Sequence, residues 1–238
     1  MRIIILIGNS VIGKYVASEF NKKINTLATI IEDRKENKFS KLLNKLKKNI
    51  FLMPYKLIEV LLLSFENRII TRKINNYFLR YKINLKNGIV VENINSNKTK
   101  DIIKSLEPDL GIVIGTSIIK NDTLDLFPKG LINMHTGILP NYKGLRSEFW
   151  ALYNKDYGNI GVTIHEVNKE IDSGKILIQD KLKYNGEGEF KLRCKNVELG
   201  AKLLIKTIKN ISKLKPIKQE KGNYYSNPNL FDLLKLRL

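Results

Sequence analysis

The chain has 238 residues, 43% of them hydrophobic and 27% charged, so it can bury a full core and is not a disordered chain. Its one cysteine, Cys194, excludes an intramolecular disulfide and a thiolate metal cluster, and fits a reducing, cytoplasmic setting. The formal net charge of +19 fits an anionic partner, such as a phosphorylated substrate, nucleic acid or a membrane surface, but the lysines are spread along the whole chain, as a bias towards Lys, Asn and Ile would also leave them.

The N-terminal run Ile3–Ile7 is short, continuous and rich in β-branched residues, the pattern of a strand buried on both faces. Its apolar length is too small for a signal peptide. Gly8 follows, and Val11, Ile12, Tyr15, Val16 and Phe20 then recur at helical spacing. A second run, Thr26 to Ile31, completes a βαβ unit, right-handed if its strands are parallel. Residues 34–86 are basic and mostly helical in pattern, and read as a helical insertion beside the sheet. Its apolar stretch Phe51–Phe65 is interrupted by Pro54, Lys56 and Glu59 and is too short to span a bilayer, so no transmembrane segment is expected. That stretch suits packing on the core or on a second copy in a homodimer. Its basic flanks also suit a peripheral position on the inner membrane face.

Strand character resumes at Gly88–Ser96. Ile102, Ile103 and Leu106 mark a helix that Pro108 ends. Leu110–Gly115 and Gly130–His135 are two more buried strands. A helix is expected over "SEFWALYN". "GVTIHEVN", Gly161 to Asn168, alternates as a strand nearer the sheet edge would, and Lys175–Tyr184 is the next strand. Val197, Ala201, Leu204, Ile208 and Ile211 define one face of a long helix. The alternation of strands and helices predicts an α/β fold with a doubly wound, mainly parallel sheet. We divide the chain into a catalytic domain, 1–213, and a C-terminal appendage, 214–238, expected as a hairpin and a short helix.

In such a sheet ligands bind at the carboxyl ends of the strands. Gly8, Gly115 and His135 all fall there, so they are expected to meet in one cleft. "GNSVIG" lacks the G-x-G-x-x-G dinucleotide fingerprint and the P-loop lysine pattern. The chain has two histidines, and one of them stands two residues after Asn133 in "INMHTGILPNYKG". Asn133 offers an amide N–H to a developing oxyanion. His135 suits proton transfer near neutral pH. Asp172, on a turn between two strands, is placed to orient that imidazole. No serine or cysteine is placed as a nucleophile in these segments, and no metal-ligand spacing appears. A donor amide, a proton shuttle and an acid point to direct transfer of an acyl group to an amine. Taken one by one, the three residues are better read as a capped turn or satisfied buried polar groups.

"NMHTGILPNYKGLRSEFWALYN", followed by "GVTIHEVNKEIDSGKILIQ", resembles the 10-formyltetrahydrofolate-dependent formyltransferase family, most like its sugar N-formyltransferase and methionyl-tRNA formyltransferase members. The resemblance implies a Rossmann-like formyltransferase core and a catalytic set of Asn133, His135 and Asp172. It implies 10-formyltetrahydrofolate as co-substrate, held by the backbone of Gly115, Thr116, Ser117, Ile118 and Ile119 and by the loop of Val167, Glu170 and Ile171. His165 is expected to be structural and Trp150 a packing residue. Thr136 and Gly137 replace the Ser-Leu that many members carry after the histidine, and Glu170 replaces a common glycine. The expected acceptor is an amino sugar on a nucleotide, in surface-polysaccharide biosynthesis. The alternatives are methionyl-tRNA, a formyltetrahydrofolate hydrolase, and a non-enzymatic basic binding protein on a degenerate core.

Overall fold

The computed structural model describes residues 1–34 and 53–237. Residues 35–52, the first part of the expected insertion, lie outside the described residues. The Ile3–Ile7 run forms β1 (Ile3–Gly8), buried throughout, and α1 (Val11–Asn21) follows. Ser10 caps α1 by accepting the Gly13 N–H at 3.1 Å, which satisfies one of the orphan donors of the first turn. Then come β2 (Ala28–Glu32), α2 (Met53–Phe78), β3 (Gly88–Val91), α3 (Asn97–Leu106) and β4 (Leu110–Ile114). They are followed by α4 (Asn121–Leu124), β5 (Leu131–His135), β6 (Lys143–Gly144), α5 (Ser147–Tyr153), β7 (Gly161–Glu166) and β8 (Ile176–Lys181). The long α6 (Glu189–Asn210), β9 (Tyr224–Tyr225) and α7 (Leu230–Arg237) end the chain.

The seven-stranded sheet has the order β3-β2-β1-β4-β5-β7-β8. β1 to β5 are parallel, whereas β7 runs antiparallel to β5 and β8 antiparallel to β7. The strand order reverses between β1 and β4, which places the switch point at the carboxyl ends of those strands. This is the doubly wound, mainly parallel sheet expected from the sequence. One face packs under α1, α6 and the C-terminal half of α2, around Ile5, Ile7, Phe20, Phe78, Val197 and Leu204. The other face packs around Ile4, Leu6, Ile103 and Phe127.

Two expectations change in detail. β7 lies next to the edge strand β8, nearer the edge as expected, but is buried along nearly its whole length. Its alternation comes from Thr163 and His165, both under 3% exposed, which face a polar interior, and β8 covers its outer side. The appendage forms no hairpin within itself: Tyr224 and Tyr225 pair in parallel with Lys143 and Gly144. The N-terminal half of α2 leaves Ile58, Leu61, Leu62 and Phe65 exposed. Among the described residues no helix is long and apolar enough to cross a membrane.

Candidate active site

Side chains two residues apart on a strand share a face, so Asn133 and His135 at the end of β5 point the same way. The antiparallel register sets His165 opposite Asn133 and Thr163 opposite His135. Thr163 fixes the loop after β5: its Oγ1 donates to Gly137 O at 2.7 Å and accepts the Leu139 N–H at 3.1 Å. The Leu139–Pro140 peptide is cis. A Cβ on Gly137 would lie 2.6 Å from both His135 Nε2 and Ser147 Oγ, so only glycine allows the loop this close to the imidazole. Asp172 comes from the β7–β8 loop with φ +50°, a left-handed conformation uncommon outside glycine.

These loops converge on Asp172. Its Oδ2 accepts the Gly144 N–H at 2.8 Å and lies 3.3 Å from His135 Nδ1. Its Oδ1 lies 3.5 Å from both Asn133 Nδ2 and His165 Nε2. His135 Nε2 is 2.7 Å from Tyr142 O, so that nitrogen carries hydrogen and donates to the carbonyl, and Nδ1 is turned to the carboxylate. Burial alone would raise the Asp172 pKa. The charge of His135, the His165 ring 3.5 Å away and the Gly144 N–H outweigh burial and hold it at about 2, below its ordinary 3.8.

That depression ties the site to stability. An unfolded Asp172 titrates at its ordinary 3.8 and the folded one at about 2. Its stabilisation is complete above about pH 4 and is lost as pH falls through the folded value. Asp172→Asn is expected to unfold at lower urea than wild type at pH 5, with the gap closing towards pH 2. A gap independent of pH would show that the carboxylate charge is not what stabilises the loop.

Two residues join the site beyond the expected three. His165, expected to be structural, is 2% exposed and puts Nε2 3.0 Å from Asn133 Nδ2. Its Nδ1 is 2.7 Å from Glu166 O and donates there, which leaves Nε2 to accept from the Asn133 amide. Ser147 Oγ stands 3.2 Å from His135 Nε2. The line Ser147–His135–Asp172 has the connectivity of a hydrolase triad, but Ser147 is buried behind the imidazole, its hydroxyl donates to Tyr142 O, and it does not line the cavity.

In front of Asn133, His135 and Asp172 lies a cavity of ≈ 470 Å³. Gly115, Thr116, Ser117, Ile118 and Ile119 form one wall, and Val167, Glu170 and Ile171 stand on the other, so every residue expected to hold the co-substrate borders it. Ile118 and Ile171 flank the mouth with 68% and 43% of their surface exposed, an apolar frame without a partner. Glu32, 1% exposed at the end of β2, anchors the first wall: it accepts the Ser117 N–H at 2.7 Å and hydroxyl at 2.5 Å, and the Ile94 N–H at 3.0 Å. Gln219 anchors the second by donating to Asp172 O at 3.1 Å and Gly174 O at 2.6 Å. The appendage thus holds both loops that meet at Asp172. Trp150 packs as expected, stacking on Tyr225 and donating to Ser226 O.

A family model described as formyl transferase matches residues 29–207, which is most of the chain. The chain belongs to the formyl transferase family. Among its relatives, the methionyl-tRNA formyltransferase of Caldicellulosiruptor saccharolyticus is 34% identical over 123 residues, 50% of this chain and 39% of its own length. The chain spans about two fifths of the length of such curated relatives. A sugar N-formyltransferase of a Shewanella species superposes with a TM-score of 0.60 at 17% identity, over 99% of this chain and 87% of that one. An N-formyltransferase of Helicobacter canadensis, in complex with folinic acid and dTDP-3-aminofucose, gives 0.59 at 18% identity, over 95% and 71%. At these identities the superpositions show the shared fold.

Proposed function

We propose that this formyl transferase moves the formyl group of 10-formyltetrahydrofolate to the primary amine of an amino sugar carried on a nucleotide, as in the building of surface polysaccharides. The observation that carries the reading is the meeting of Asn133, His135 and Asp172 at one end of a cavity whose lining serine, Ser117, gives its hydroxyl to Glu32, and which no cysteine lines among the described residues. Without a nucleophile the acceptor amine itself attacks the formyl carbon. The N–C bond forms, and the carbonyl electron pair moves onto oxygen. Asn133 Nδ2 donates a hydrogen bond to that oxyanion. His135, backed by Asp172, takes the proton the amine must lose and delivers it towards the departing folate nitrogen as the carbonyl re-forms. The flat pteridine fits between Ile118 and Ile171, with the backbone of Gly115–Ile119 supplying hydrogen bonds. Folinic acid and an amino-sugar nucleotide in the Helicobacter canadensis protein support both halves of the reading. The methionyl-tRNA formyltransferase relatives support tRNA as a second acceptor.

The test is release of tetrahydrofolate from 10-formyltetrahydrofolate by the purified chain. The panel holds nucleotide-linked amino sugars, glycinamide ribonucleotide, methionyl-tRNA and no acceptor. Release that requires one amino sugar is the expected result. Release with methionyl-tRNA alone would replace the acceptor, and release without any acceptor would make the chain a hydrolase. No release and no folate binding would overturn the whole reading.

A further inference from the structure

The first turns of α2 carry an apolar surface on the side turned away from the core. Ile58, Leu61, Leu62, Phe65 and Ile69 recur at helical spacing, so they fall on one face of the helix. Each has between 40% and 64% of its surface exposed. Ile74 and Phe78, on the opposite side, are buried in the core with Phe20 and Val197, so the helix has its packing partner there already. Single exposed apolar side chains are ordinary, but five in one stripe make a patch of the kind that marks an interaction surface.

Charge is sorted along the same face. Arg68, Arg72 and Lys73 continue it, and all three are exposed. They form no ion pair among the described residues. The two carboxylates of α2 are engaged elsewhere. Glu59 accepts the Leu230 N–H at 3.3 Å, and Glu66 pairs with the buried Arg146 at 3.3 Å. The outer face is thus apolar first and cationic next, with no carboxylate of α2 to balance it. That sorting chooses the occupant. A second copy docked by the same face would bring three more cations and no carboxylate to meet them. A bilayer with anionic headgroups meets both parts: the acyl boundary takes the apolar stripe and the phosphates take the cations. At 1.5 Å per residue the stripe is about 17 Å long, enough to lie along the interface and too short to cross it. The formal net charge of +19 adds a long-range attraction to such a surface.

We infer that the outer face of α2 docks the protein on an anionic membrane surface, with the apolar side chains of residues 58–69 in the interface and Arg68, Arg72 and Lys73 on the headgroups. The inference stands on this face alone and does not depend on the formyl-transfer reading.

The experiment is flotation of the full chain with vesicles of phosphatidylcholine alone and of equimolar phosphatidylcholine and phosphatidylglycerol. Binding is expected to the anionic vesicles only, and added salt should weaken it. The triple variant Arg68→Gln/Arg72→Gln/Lys73→Gln is expected to lower the partition coefficient about a hundredfold, at about fivefold per cation. Leu62→Ser/Phe65→Ser should lower it about tenfold or more. Lys202→Gln/Lys206→Gln/Lys209→Gln removes the same charge from exposed positions on α6 and should lower it far less. Every substituted side chain is exposed, so the variants should fold, which circular dichroism checks. Should the serine variant misfold, the two charge variants decide. No binding of the wild type to anionic vesicles, or an equal loss in both charge variants, overturns the proposal. So does full binding by the folded serine variant, which would leave general attraction alone. Light scattering runs alongside. A dimer that Leu62→Ser/Phe65→Ser dissociates, with no vesicle binding, would give the face to a second copy. Tetrahydrofolate release without vesicles should be the same in the wild type and all variants, so failure of docking and failure of the formyl-transfer reading are seen separately.

Discussion

His135→Ala is expected to lower kcat for tetrahydrofolate release by about a hundred- to ten-thousandfold, the range for loss of a positioned acid–base group. An imidazole can both take and give a proton, which the Asn133 amide cannot. Asp172 is held at about 2, so it stays ionised and cannot carry the proton through the reaction. Its part is to face Nδ1 and stabilise the ring when that nitrogen gains hydrogen. The substitution leaves Tyr142 O without its 2.7 Å donor, yet Ser147 Oγ already reaches the same carbonyl at 3.2 Å, so the loop keeps a hydrogen bond. The fold should therefore survive, and the loss should appear in kcat with little change in folate affinity. Full turnover by the variant would remove His135 from the chemistry and make Asp172 the group to explain.

The sheet was legible because buried parallel strands must be continuous apolar runs, and Ile3–Ile7, Leu110–Gly115 and Gly130–His135 have no other reading in a chain of this charge. The site was legible for a related reason. Asn133 and His135 interrupt an otherwise apolar strand, and a buried strand carries polar side chains only where something needs them. Glu32 gives the same signal, a carboxylate ending an apolar run, but its neighbours Asp33 and Arg34 disguise it as the start of a loop. His165 was harder to place because alternation in β7 has two physical sources. Polar residues alternate at a sheet edge, where they face water, and they alternate beside an active site, where they face each other. Only the register, with Asn133 directly opposite, separates the two. Gln219 and Ser147 gave no signal at all. Their roles depend on contacts across 45 and 12 positions of sequence, which no local pattern encodes.

The second large effect is expected at Asn133. Asn133→Ala should lower kcat by about a hundred- to a thousandfold, as removal of a single oxyanion donor does. The amide serves only if Nδ2 faces the cavity end of the cluster, and His165 decides that. With Nδ1 donating to Glu166 O, Nε2 presents a lone pair 3.0 Å from the amide. The opposite amide orientation would set Oδ1 against that lone pair and against Asp172 Oδ1, two repulsive contacts in a buried site. One Asn133 N–H is thus held by His165 at 3.0 Å, and the other reaches Asp172 Oδ1 only at 3.5 Å, a long contact from which the formyl oxygen would take it. His165→Met removes the acceptor while filling the space, and should cost about tenfold in kcat, the worth of one buried hydrogen bond. Because His165 acts through Asn133, the double variant Asn133→Ala/His165→Met should be no slower than Asn133→Ala alone. Losses that multiply would mean that His165 has a task of its own.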